Sequence, residues 1–221
     1  MKTREALRGA CARTAREVGG DFFDFRMLDR DHLYMAIADV SDKGIPAALF
    51  MMAARIMFAD HATTGGSPAR ILRECNATIC SNNKEMTFIT VWIGILEIST
   101  GIIKCANAGH EYPVVRHANG QFELLRDEHG IFLGVIEEAE YQDYELQLEP
   151  GASLFAYTDG LAEATSPNEK MLGTDGIVKA LNEAPDDDPE ELLKYVQKAA
   201  DDFARGAEQF DDITMLGIRL N

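Results

Sequence analysis

Val18-Gly19-Gly20-Asp21-Phe22-Phe23-Asp24-Phe25-Arg26-Met27-Leu28, then Asp29-Arg30-Asp31-His32, then Leu33-Tyr34-Met35-Ala36-Ile37-Ala38-Asp39-Val40: this stretch decides the fold. Two apolar runs, Phe22 to Leu28 and Leu33 to Val40, flank a charged, turn-rich tetrad, the pattern of a β-hairpin. Asp21 opens the first run and Asp39 nearly closes the second, so antiparallel pairing predicts that the two acids meet at one end.

Working outward, Pro46 to Asp60 predicts a helix with its proline near the first turn. Ser67-Pro68 signals a second helix start, with Ile71, Leu72, Cys75 and Ile79 on one face. Met86 to Ile98 and, after Ser99-Thr100-Gly101, Ile102 to Ala106 read as strands. Shorter strands follow at Tyr112 to Arg116, Phe122 to Leu125, Tyr144 to Leu148 and Ser153 to Tyr157. Pro189 to Ala204 is a helix with acids in its first turn, and Ile213 to Leu220 a last strand. Two strands, two helices, many strands, helix, strand: the order describes an α+β protein with antiparallel sheets and excludes Rossmann-like βαβ alternation.

The strand-end acids recur late in the chain. Asp159 stands just past Ser153 to Tyr157, and Asp211 and Asp212 just before Ile213 to Leu220, so antiparallel pairing of these strands also makes their acidic ends coincide. Carboxylates gathered at one sheet end repel each other unless a cation sits among them. Oxygen-only ligation without His or Cys favours hard ions, Mg²⁺ or Mn²⁺, over zinc. An aspartate at a strand end commonly does no more than cap a turn. The set is embedded in Val18-Gly19-Gly20-Asp21, Ala38-Asp39-Val40-Ser41-Asp42-Lys43-Gly44, Tyr157-Thr158-Asp159-Gly160 and Phe210-Asp211-Asp212-Ile213-Thr214, which exceeds what capping requires.

Length and charge limit the alternatives. In 221 residues, 46% of them hydrophobic, there is enough for one self-sufficient domain. The net charge of −16 opposes binding to a phosphate backbone, so nucleic acid is not an expected partner and a nuclease is disfavoured. That charge is uneven: 13 basic and 12 acidic residues precede residue 111, and 8 and 25 follow from there. Cys11, Cys75, Cys80 and Cys105 show no metal-binding pair and no scaffold density, which suits a reducing cytoplasm. No signal-peptide stretch is read at Met1 to Arg16, and the apolar run Ile45 to Ala59 is interrupted by Arg55 and too short for a bilayer span.

At these motifs the chain resembles the metal-dependent serine/threonine protein phosphatases, the PPM family (protein phosphatase 2C-like). Within it the likeness is to the bacterial branch of stage II sporulation phosphatase E and the stress-sigma regulators. The resemblance runs from about Arg13 to Leu220 and takes in Ala108-Gly109-His110 with Pro113 behind it. It implies a central antiparallel β-sandwich flanked by α-helices, a four-layer αββα arrangement, with two Mn²⁺ or Mg²⁺ ions at one edge. Asp39 then resembles the carboxylate that bridges both ions, Val40 the residue that lends a backbone carbonyl, Asp159 and Asp211 further ligands, and Asp21 the early acid. Asp212 is given a supporting place. Arg16 matches a phosphate-contacting arginine of animal-type relatives, with a solvated surface arginine as its alternative reading. Val40-Ser41-Asp42 lacks the histidine those relatives use as general acid. His110 either braces a turn or takes part in catalysis; Asp42 either starts the helix or binds a weaker third ion.

The resemblance further implies a phosphorylated protein substrate, an anti-sigma-antagonist type of regulator, attacked by a metal-activated water with no phosphoenzyme. Cys-x₅-Arg and Gly-x-Ser-x-Gly settings for a covalent nucleophile are absent. A degenerate, non-catalytic domain that serves as a binding module is the alternative. The domain is read over residues 8–221, with 1–7 the end of an upstream linker or an added start. The expected setting is cytoplasmic, in a parent protein that carries an upstream sensor or regulatory domain and that a membrane anchor would not contradict. The helix from Pro46 is apolar nearly all round, which predicts burial on more than one side. Either it is sandwiched between the sheet and the next helix, or part of it faces a regulatory domain or a second subunit, as in a homodimer, and switches the loop that carries Asp39.

Overall fold

The computed structural model describes residues 5–15, 18–83, 86–117, 120–127 and 129–221. In chain order the elements are β1 (Ala6–Arg13), β2 (Phe22–Met27), β3 (His32–Val40), α1 (Ile45–Thr63), α2 (Pro68–Asn82), β4 (Ile89–Glu97), β5 (Ile102–Ala108), β6 (Val114–Arg116) and β7 (Phe122–Leu124). They continue with β8 (Tyr144–Gln147), β9 (Ser153–Tyr157), α3 (Asp159–Ala162), α4 (Gly173–Glu183), α5 (Pro189–Ala204) and β10 (Ile213–Leu220). The chain forms two compact units, interleaved in sequence, each one antiparallel five-stranded sheet with its own helices.

The first unit orders its strands β2-β3-β4-β5-β8. The expected hairpin is its nucleus: β2 pairs with β3 from Phe22↔Ala38 to Met27↔Leu33. Central β3 is buried from Leu33 through Ala38, which is why it reads as an unbroken apolar run. α1 and α2 cover the sheet, with Phe58, Ile71, Leu72 and Cys75 in its core. α2 starts as expected: Pro68 follows the cap Ser67, whose Oγ accepts from the Arg70 amide. Trp92 lies across Gly94, where a Cβ would sit 2.5 Å from the indole.

α1 departs from expectation. Ala47, Ala54, Phe58, Ala59 and Ala62 are its buried residues, while Ile45, Leu49, Met52 and Ile56, at helical spacing, are exposed. The helix is therefore covered on one side only and carries a solvent-facing apolar stripe. By length and composition it could cross a bilayer, but here it packs against β2, β3 and α2, and Arg55 pairs with Asp24 at 3.1 Å. Asp42 does not start it: the cap is Gly44, and Asp42 is exposed with φ +72°.

The second unit orders its strands β1-β10-β9-β6-β7. β1 was not expected, since its Ala- and Arg-rich residues lack a strand pattern. It is held by eight register pairs with β10, from Ala6↔Leu220 to Arg13↔Ile213, and takes in Ala6 and Leu7 ahead of residue 8. α5 buries Leu192, Leu193 and Val196 against β1 and β10, and Asp188 caps it by accepting from the Glu190 and Glu191 amides. α4, also unexpected, adds Ile177 and Leu181 to this core.

Asn76 on α2 is fully buried and binds three backbone groups: its Nδ2 donates to the carbonyls of Ile136 and Glu137, and its Oδ1 accepts from the Gly134 amide at 2.8 Å. Asn76→Ala removes these three hydrogen bonds at a buried site, so a loss of about 2–4 kcal/mol is expected, read as a lower urea midpoint with unchanged slope.

Candidate metal centre

In the first unit the β2–β3 register, continued by one pair, sets Asp21 opposite Asp39. Both acids are half-buried and Val40 is buried. Gly20 lies against the Val40 carbonyl so closely that a Cβ would come within 2.7 Å of its oxygen. Ser41 fixes the chain beyond: its amide donates to the Phe88 carbonyl and its Oγ accepts from the Phe88 amide.

Across the sheet Asp39 pairs with Thr90 of β4. Thr90 Oγ1 is 2.9 Å from His110 Nδ1. His110 is buried, and Asn107 brackets it, accepting from its amide at 2.8 Å and donating to its carbonyl at 3.2 Å. Gly109 between them has φ +69°, a left-handed conformation that glycine adopts without strain. Ala108-Gly109-His110 is thus a braced turn, as the first of its two readings held. Asp127, its side chain only 2% exposed, accepts from Asn107 Nδ2, accepts from the Tyr144 hydroxyl at 2.6 Å and lies 2.8 Å from His129 Nδ1. Trp92 Nε1 donates to the same hydroxyl. Burial, with Asp127 beside it, drives the Tyr144 phenol far above its ordinary pKa, so it stays a donor. Asn107, Asp127 and Tyr144 escape sequence reasoning because nothing in their spacing marks them as partners.

In the second unit β9 and β10 pair antiparallel, and Thr158 extends the ladder, donating from its amide to the Thr214 carbonyl and accepting the Thr214 amide at Oγ1. Asp159 opens the short α3 directly after it. Gly160 is pressed on the strand approaching β10: a Cβ would stand 2.0 Å from the Asp212 carbonyl oxygen. Asp159 and the Asp211-Asp212 pair therefore share one end of this sheet. Asp211 Oδ1 accepts from the Asp212 amide at 2.9 Å, whereas Asp212 Oδ1 accepts from the Ala15 amide at 2.8 Å, tying down the end of β1. Gln209 Nε2 donates to the carbonyls of Asp211 and Arg13.

Each unit thus brings its own acids to one sheet end, Asp21 and Asp39 in one, Asp159, Asp211 and Asp212 in the other. Within either unit, among the described residues, no three or more His, Cys, Asp or Glu side chains gather as a metal site. Arg16 lies outside the described residues. The donor set fits a hard divalent ion: it is all oxygen, and glycines stand where a side chain would crowd the carbonyls of Val40 and Asp212.

The family model for stage II sporulation protein E (SpoIIE) matches residues 29–221. The chain belongs to the SpoIIE family. Asp39, Asp159 and Asp211 lie inside the matched segment and Asp21 ahead of it. Among curated proteins the chain is 29% identical to Protein IcfG of Synechocystis over 94% of its own length and 37% of that protein's. It is 27% identical to the phosphoserine phosphatase RsbU of Bacillus subtilis over 96% and 62%. It thus spans less than two thirds of these relatives. The PP2C phosphatase domain of SpoIIE from Bacillus subtilis, solved with a fragment of its regulatory domain, superposes with a TM-score of 0.85 at 17% identity, over 97% of this chain and 63% of that one. The α+β fold with two antiparallel sheets is thereby that of the PPM phosphatases, and the chain falls in the SpoIIE/RsbU branch of that fold.

Gly160→Ala is expected to cost more than about 3 kcal/mol, because the contacting atom is backbone and cannot turn aside. Gly66→Ala, whose Cβ would meet Arg70 and Ile71 at an ordinary 3.5 Å, is expected to stay within about 1 kcal/mol. Denaturant unfolding of the two variants checks both.

Proposed function

We propose that the domain hydrolyses phosphoserine or phosphothreonine on a regulatory protein of the anti-sigma-antagonist type. Two Mg²⁺ or Mn²⁺ ions would be held by Asp21, Asp39, the Val40 carbonyl, Asp159 and Asp211, with Asp212 in support. The observation that carries this reading is the SpoIIE match over residues 29–221 with its acids in place at the strand ends. When bound, two such ions lower the pKa of a water and neutralise charge developing on the phosphoryl oxygens.

The chain's own residues do the rest. Rigid strand ends hold the carboxylates, with Gly20 and Gly160 keeping the neighbouring carbonyls uncovered. In the reaction a water oxygen bonds to phosphorus as the bond to the seryl oxygen breaks; the water gives up a proton and the leaving oxygen takes one. Arg16 is assigned a phosphate contact on the family resemblance. A non-catalytic binding module, the alternative, would have no need of four retained ligand aspartates. The cytoplasmic setting is supported by Cys11, Cys75, Cys80 and Cys105, which form no disulfide.

The regulatory partner is assigned to the exposed stripe of α1, which begins five residues after Val40. Such a patch marks an interaction site, and the relatives are long enough to carry a further domain. In the full-length protein Leu49→Glu is expected to change the regulated rate severalfold while leaving the melting temperature of the isolated domain within a few degrees; an unchanged full-length rate would remove α1 from the regulation.

Phosphate release from a phosphoserine peptide is expected to require Mn²⁺ or Mg²⁺, to stop with chelator, and to fall by about a thousandfold or more in Asp39→Ala, since a lost ligand forfeits several kcal/mol of transition-state stabilisation. Turnover without metal would refute the two-ion mechanism. A full-length protein inert at saturating Mn²⁺ would favour the binding module.

A further inference from the structure

In the second unit Arg116 of β6, Ser153 of β9 and Arg219 of β10 are direct register partners, Arg116↔Ser153 and Ser153↔Arg219. Residues opposed in this way project from the same face of a sheet, so the serine hydroxyl stands between two guanidinium stems. The carboxylate of Asp187, one residue ahead of the α5 cap, reaches over the row. Its Oδ2 accepts from Arg116 Nη2 and its Oδ1 from Arg219 Nη1. Arg116 Nη2 also donates to the Gly151 carbonyl at 3.1 Å, and its guanidinium lies over the Phe122 ring, 5.6 Å from the centroid.

Two carboxylate oxygens do not answer this many donors. Ser153 is only 2% exposed, and its Oγ, Arg116 Nε and Arg219 Nε are buried with no hydrogen-bond partner among the described residues. Folded proteins pair nearly all such groups, because a polar atom left bare inside forfeits its hydration. Charge is unbalanced in the same direction, two guanidiniums against one carboxylate. The neighbouring acids are spent elsewhere: Asp188 Oδ1 accepts from the Glu190 and Glu191 amides, and Asp186 Oδ1 from the Asp188 amide. Surplus donors in two planar forks, with a hydroxyl between them, suit an oxyanion with more acceptors than a carboxylate has.

We propose that Arg116, Ser153 and Arg219 form a binding site for a phosphate group, in which the Asp187 carboxylate is the resident stand-in that the ligand displaces. The three or four oxygens of a phosphate group engage Nε and Nη of each guanidinium together and still reach the hydroxyl. Asp187 sits in the connection between α4 and α5 with its side chain 34% exposed, free to turn outward as the ligand enters. Ser153 opens β9, whereas Asp159 follows the opposite end of that strand. The site is therefore separate from the candidate metal centre and does not depend on the phosphatase reading.

The test follows the arginine Nε–H and backbone amide signals of the ¹⁵N-labelled chain by NMR, in EDTA, as inorganic phosphate replaces sodium chloride at constant ionic strength. The Arg116 and Arg219 Nε–H signals are expected to shift and saturate. Asp187→Asn, which withdraws the competing charge, is expected to bind phosphate about tenfold more tightly, the worth of one charged hydrogen bond. Ser153→Ala is expected to bind about tenfold more weakly with its melting temperature unchanged or raised, since the hydroxyl it removes has no partner without ligand; Arg219→Gln is expected not to bind. A phosphoserine peptide and its unphosphorylated twin separate the sources: a shift from the phosphopeptide at lower concentration than from inorganic phosphate assigns a protein-borne group, and the reverse order the free ion. Signals that neither phosphate source moves in wild type or in Asp187→Asn would overturn the site. So would equal affinities in wild type, Ser153→Ala and Arg219→Gln.

Discussion

Register in two central strands governs the rest of the molecule. β3 is buried from Leu33 through Ala38, and β10 from Ile213 through Ile218, so neither can slide by one residue without turning every side chain to its opposite face. Everything attached to their ends is placed by that constraint. It aligns Asp21 with Asp39 across β2 and β3, aligns Asp39 with Thr90 across β4, and brings the Asp159 turn to the start of β10. The acids are exposed enough to bind something, yet their positions are set by apolar packing along the strands.

A second layer of order is polar. The path from Thr90 through His110 and Asn107 to Asp127 and Tyr144 runs through buried and half-buried groups, each hydrogen-bonded to the next. Such a network adds little net stability per bond but penalises any arrangement that leaves one member unmatched. It keeps the turn after β5 in one conformation against β4, whose Thr90 is paired with Asp39 of β3. Asp212 does comparable work in the other unit, spending its carboxylate on the Ala15 amide.

What was legible in the sequence follows from the range of the forces involved. The β2–β3 hairpin, α2 and α5 announce themselves because their apolar period, turn residues and caps lie within a few neighbours: Ser67 before Pro68, Asp188 before Pro189. β1 is invisible because its reason for being a strand, β10, lies some two hundred residues away. α4 hides behind Gly173 and Gly176, which depress helix propensity, although Ile177 and Leu181 are core residues. For α1 the composition was read correctly and the burial was not, since a helix with an exposed apolar stripe and one packed on both sides have the same residues. The ligand aspartates stood out through their motifs, while Asn107 and Asp127, twenty residues apart, needed the fold to bring them together.

β1 lies at the edge of its sheet and is zipped to β10 alone. Its ladder runs from Ala6↔Leu220 at one end to Arg13↔Ile213 at the other, and two residues beyond, Ala15 is clasped by Asp212. A tension applied to the chain ahead of Ala6 would therefore reach the acidic end last. It would peel the pairs one after another, as a seam opens stitch by stitch, from the end remote from Asp212. The ladder acts as a mechanical buffer: a tether could tug and relax repeatedly, fraying the first pairs, while the carboxylates at the far end keep their places.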